Sequence, residues 1–152
     1  MHLRPTQQPS ILIRGATSLH FLAAVVAILV GTIIYVVYGS DTFVINKVLR
    51  GIHLGGLIDT LRAYAPANLA PLRNQVPDGL WVYAGTTLMI NVWSAKSTGV
   101  QLWIFCPLMF GLAGELGQYV NVVPGTFDLL DIFSMLTGCI LSYVFTKKRF
   151  VP

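Results

Sequence analysis

The chain has 152 residues, 55% of them hydrophobic and only 11% charged, against about 25% charged in an ordinary soluble domain. That balance excludes a water-soluble enzyme built on one buried core, and the formal net charge of +4 suits contact with anionic lipid. Basic residues do not cluster with aromatics, so no nucleic-acid surface is expected.

In chain order, the apolar content divides into four stretches near the ~20 residues that a bilayer crossing needs: Thr17–Tyr38, Pro77–Trp93, Gly99–Gln118 and Phe127–Thr146. The first exceeds the ~7–15 apolar residues of a signal-peptide core, and no small-x-small cleavage site follows Tyr38, so it is read as an anchor. The fold class expected is therefore all-α: one integral membrane domain over 1–152, a four-transmembrane-helix bundle. Four crossings put both termini on one side with Arg4, Arg14, Lys96, Lys147, Lys148 and Arg149, against Lys47, Arg50, Arg62 and Arg73 on the other. By the positive-inside rule the termini are cytoplasmic. Tyr35, Tyr38, Trp81, Trp93, Trp103, Tyr119 and Tyr143 fall near span ends, as an interfacial aromatic belt does.

The loop 39–76 between the first two spans is long. In Thr42–Leu54, the apolar residues Val44, Ile45, Val48, Leu49 and Ile52 recur at helical spacing, with Asn46, Lys47, Arg50 and His53 opposite. Gly55–Gly56 reads as the stop. Leu57–Tyr64 follows with Leu57, Ile58 and Leu61 against Asp59 and Arg62. Both segments are expected to lie in the outer interface, the basic residues facing phosphate headgroups or the acids below. Asp78, directly after Pro77, reads as a cap of the second span and is also counted with the polar pocket formed by Glu115, Gln118, Asp128, Asp131 and Arg73.

Cys106 and Cys139 fall at similar depth in their spans, on the side of a reducing compartment, and are expected as free thiols. His2, His20 and His53 are scattered with no metal-ligand spacing, so neither a metal nor a cofactor is expected.

The run from Gly114 to Gly138 carries the chemistry. It places Glu115, Gln118, Asp128 and Asp131 in otherwise apolar sequence, where an ionisable group costs at least ~2.5–3.5 kcal/mol. Glu115 and Gln118 are three apart at the end of the third helix, and Asp128 and Asp131 three apart in the first turn of the fourth. Pro124-Gly125-Thr126 marks the turn between them. Capping accounts for Asp128 but not for Glu115, which lies at the wrong end of its helix for the dipole. Antiparallel neighbours joined by a short turn bring Glu115 and Asp131 to one depth. The small residues Gly111, Gly114, Ser134, Gly138 and Ser142 let those helices close. One of the two carboxylates is then expected to be protonated, metal-bound or paired with Arg50, Arg62 or Arg73, of which Arg73 is the preferred counter-charge.

At these residues the chain resembles the VanZ-like family of small bacterial membrane proteins. The family pattern is an E-x-x-Q pair, a Pro-Gly-Arg turn, D-x-x-D, a following Asn and a Gly three beyond. Glu115, Gln118, Pro124, Gly125, Asp128, Asp131 and Gly138 occur here in that order. Thr126 stands where the family has Arg, and Met135 where it has Asn. The resemblance implies an envelope protein of a family linked to glycopeptide (teicoplanin) resistance. The expected function is a non-catalytic outer-leaflet polar pocket for a lipid-linked or amphipathic ligand, with membrane lipids as partners and no catalytic residues assigned. An accessory subunit among other membrane protein subunits is the alternative, and a carboxylate-dependent enzyme on a lipid-linked substrate a further one.

Overall fold

The computed structural model describes residues 11–41, 44–68, 73, 75–92 and 100–146. Among these the chain is all-helical, without strands: α1 (Ile11–Tyr38), α2 (Val44–Gly51), α3 (Gly55–Tyr64), α4 (Gln75–Val92), α5 (Val100–Trp103), α6 (Cys106–Tyr119) and α7 (Leu129–Thr146). Two segments are long and apolar enough to cross a membrane, Leu19–Tyr38 in α1 and Leu129–Thr146. The expected boundaries at Trp93 and Gly99, and the basic residues Arg4, Lys96, Lys147, Lys148 and Arg149, lie outside the described residues.

Helix α4 is the hub, packed most extensively on α7 and α1 and less on α6. It runs antiparallel to α1, since Tyr35 near the end of α1 meets Trp81 near the start of α4 with ring centroids 5.3 Å apart. It runs parallel to α7, because Gly79 sits on Ser134 while Thr87 Oγ1 and Ser142 Oγ share a 2.8 Å hydrogen bond further along. The packed faces centre on Ala24, Ala27 and Ala84 between α1 and α4, and on Val82, Met135 and Cys139 between α4 and α7. The large apolar side chains Phe21, Leu22, Leu29, Ile33, Phe110, Phe133 and Ile140 point outward, while Asn46, Thr86, Thr87, Glu115, Asp131 and Ser142 are buried. A water-soluble monomer rarely exposes so continuous an apolar surface.

The stretch expected as one span over Gly99–Gln118 is broken. Between α5 and α6 the chain turns at Ile104–Phe105, and Pro107 falls in the first turn of α6. Proline has no N–H and its ring clashes with the preceding turn, so it is accommodated at a helix start and not in an interior. Fourteen residues of α6 then cover only ~21 Å at ~1.5 Å per residue.

The loop also differs. α2 ends at Gly51, short of the expected Leu54, and Gly55–Gly56 open α3 instead of separating it from α2. The stop is a paired C-terminal cap in which His53 adopts φ 67°. Its N–H donates to the Arg50 carbonyl (3.1 Å), and the Leu54 N–H to the Leu49 carbonyl (2.9 Å). α6 ends the same way at Asn121, φ 58°, with Asn121 N–H on Gln118 and Val122 N–H on Gly117.

The loop docks on the C-terminal end of α1, whose last carbonyls have no partner within the helix. Arg62 donates to the carbonyls of Val37 (3.1 Å), Val36 (3.2 Å) and Gly39 (2.7 Å), and fully buried Asn46 donates to that of Ser40 (2.9 Å). A guanidinium there also complements the helix dipole. Val44, Val48, Ile52, Leu57 and Leu61 are left exposed on α2 and α3. Asn46, Arg62 and Ile58 thus face the protein, while these apolar side chains point away from it.

Candidate functional site

Three helices converge at one end of the bundle, each delivering a carboxylate: Asp78 from the first turn of α4, Glu115 from the last part of α6 and Asp131 from the first turn of α7. One carboxylate oxygen from each lies within 4.8 Å of the others. Glu115 and Asp131 are each only 5% exposed, and Asp78 is half-buried. Asp78 does not cap α4, because the helix begins three residues earlier, at Gln75.

Asp128 is the cap of α7, its Oδ1 accepting the Leu130 N–H at 2.9 Å. Its own backbone N–H donates to Glu115 Oε2 (3.1 Å), and its Oδ2 accepts Gln75 Nε2 (3.2 Å). Glu115 therefore holds the entry of α7, which accounts for one of its oxygens. The Ser134 hydroxyl donates to the Gln75 carbonyl, tying the first turn of α4 to α7. Two buried oxygens at this end have no hydrogen-bond partner, Asp131 Oδ1 and Gln75 Oε1. Gln118 lies beneath the turn, its side-chain amide filling the place a Cβ on Gly125 would occupy. Gly125 itself has φ 145°, a conformation that glycine alone adopts readily.

No ion pair joins the carboxylates to a cation among the described residues. Arg73, expected as their counter-charge, is exposed and makes none. The other arginines of the loop serve each other's neighbours: Arg62 pairs with Asp41 (2.7 Å), and Arg50 with Asp59 (2.6 Å) and Asp41 (3.2 Å). The Arg62 hydrogen bond, helped by Arg50, holds the Asp41 carboxyl below its ordinary value. Arg50 does the same for Asp59, and the two acids push the Arg50 guanidinium up.

The small-residue stripe of α7 packs elsewhere than expected. Ser134 and Gly138 lie on Gly79 of α4, with Tyr83 also against Gly138, and Ser142 bonds Thr87. The stripe thus closes α7 on α4, not on α6. Of the α6 glycines, Gly111 receives Met135, and Gly114 faces open space. Pro107 of α6 seats on Gly85 of α4. Cys106 and Cys139 are free thiols.

A groove of about 480 Å³ runs between α4 and α7, lined by Val76, Gly79, Leu80 and Tyr83 on one wall and Phe133, Thr137 and Leu141 on the other. Its lining is almost wholly apolar and includes none of the three carboxylates. The sequence reading missed this groove; it counted Asp78 with the polar pocket but paired only Glu115 with Asp131. A search for local spacing cannot register groups brought together from three separate helices.

The chain matches no protein-family model, no curated protein and no solved structure.

Proposed function

We propose that this chain is a small VanZ-like, multi-pass protein of the bacterial cytoplasmic membrane that binds a lipid-linked or amphipathic ligand without transforming it. In this reading α1, α4, α5–α6 and α7 make four crossings with both termini cytoplasmic. The loop 39–76 lies on the outer face, its apolar stripe in the lipid interface. The outward-facing large apolar side chains and the two helices of spanning length support the membrane setting.

The observation that carries the binding function is the apolar groove between α4 and α7, two of the three helices that supply the carboxylates. The groove between α4 and α7 accepts an acyl or isoprenoid chain, and the ligand's polar end reaches the first turns of those helices, where Gln75, Asp78, Asp128 and Asp131 gather. An accessory-subunit role draws less support, because the small-residue stripe meant for partners is already used within the chain.

Native mass spectrometry of the detergent-purified full chain tests this. The wild type should retain a lipid-mass adduct, and Thr137→Trp, at an exposed position on the groove wall, should lose it while remaining folded. A wild type without retained amphiphile, or a Thr137→Trp variant that retains it equally, would overturn the reading.

A further inference from the structure

We infer that Asp78, Glu115 and Asp131 bind one divalent cation with a preference for hard oxygen ligands, of the Ca²⁺ or Mn²⁺ class. The inference deepens the pocket reading and rests on it for taking these carboxylates as the polar end of a binding site.

Two observations carry it independently. The first is geometric. The three carboxylate oxygens come from three different helices and lie within 4.8 Å of one another. Opposite ligands on one ion stand about twice the metal–oxygen distance apart, ~4.2 Å for Mg²⁺ and ~4.8 Å for Ca²⁺. Oxygens within 4.8 Å of one another therefore fall inside the span of a single coordination shell. The second is an unmet need. Asp131 is 95% buried by its 5% exposure, yet its Oδ1 has no hydrogen-bond partner. A buried acceptor left without a partner costs ~1–3 kcal/mol, and more when charged.

The surrounding charges leave little alternative within the protein. The three carboxylates have no Lys, Arg or His ion-pair partner among the described residues. Arg50 and Arg62 are committed to Asp41 and Asp59. Three negative charges at this spacing, away from water, require a cation or a proton. The ligands on offer are all oxygen, with no imidazole or thiolate among them, which disfavours zinc and copper and suits Ca²⁺ or Mn²⁺. Gln75 Oε1, three residues before Asp78 in α4, is a second buried oxygen without a partner at this end of the bundle. A cation here also removes an obstacle in the pocket reading: three carboxylates alone repel a phosphate-bearing headgroup, whereas a bound divalent ion bridges to it.

The test is a Mn²⁺ titration of the full chain in detergent after chelator treatment, followed by the electron paramagnetic resonance signal of free Mn²⁺. One saturable site per chain is expected, with Ca²⁺ displacing Mn²⁺. Asp131→Asn and Glu115→Gln should weaken binding by more than the ~10–100-fold typical of outer-shell partners. Asp59→Asn, in the outer loop, should bind as the wild type does. Asp78→Asn, at a half-buried position, decides the matter if either buried variant fails to fold. A wild type that never saturates, an Asp78→Asn or Asp131→Asn variant that binds normally, or an equal loss in Asp59→Asn would overturn the inference. The titration contains no lipid, and Thr137→Trp should keep the metal. Failure of the metal site and failure of the groove are therefore separate results.

Discussion

At the scale of single residues, the loop between α1 and α4 is held by charge where the site is not. Asp41 and Asp59 are kept acidic by the arginines beside them, so each contributes stability that is fully present above the ordinary carboxylate pKa of about 3.9. That contribution is lost as pH falls through their lowered folded values. The raised Arg50 value keeps its charge through all moderately alkaline conditions. Limited proteolysis should therefore find 44–64 protected from pH 5 to 9 and cleaved faster below pH 4. Arg62→Lys should extend the cleavage to neutral pH, since an ammonium cannot span Asp41 and three carbonyls as the guanidinium does. Equal cleavage of wild type and Arg62→Lys at pH 7 would contradict this. The helical stripe of α2 was legible in the sequence, but its stop was not. A left-handed His53 has no sequence signature as strong as Gly55–Gly56, and those glycines turned out to open α3.

At the scale of elements, the parallel α4–α7 pair is the tightest contact, and glycine makes it possible. A Cβ on Gly138 would meet the backbone of Gly79 and Tyr83, which cannot yield as a flexible side chain can. Gly114, in α6, has nothing within 4 Å of that position. Gly138→Ala should thus destabilise by ~1–3 kcal/mol through overpacking. Gly114→Ala should stabilise by ~0.5–1 kcal/mol, because alanine loses less backbone freedom in a helix. Thermal unfolding in one detergent checks both, and opposite shifts in melting temperature are expected. The sequence carried the stripe Ser134–Gly138–Ser142 openly, yet a four-residue period says only that one face is small. Which neighbour takes that face depends on the rotation of α7, and it turns toward α4.

At the scale of the whole molecule, the bundle inverts the usual distribution, with threonines, serine and carboxylates inside and large apolar side chains outside. With four crossings, a reporter fused after Pro152 should be active only when the reporter functions in the cytoplasm. Lys47→Cys, exposed on α2, should react with an impermeant thiol reagent in intact cells. A silent Lys47→Cys beside a reactive control elsewhere in the loop would place α2 on the other side.

What the sequence by itself determined is everything that depends on composition and local period. It carried the all-helical class, the two apolar segments in α1 and α7, the amphipathic loop and the acidic run containing Glu115, Asp128 and Asp131. The tertiary structure alone decided what those pieces meet. Asp78 joins Glu115 and Asp131 only because α4 runs parallel to α7 and lies against α6. Arg73 stays outside, and the other loop arginines are drawn to α1 by unpaired carbonyls and to Asp41 and Asp59. Periodicity assigns a residue to a face, but close packing of three helices is needed to bring three faces to one point.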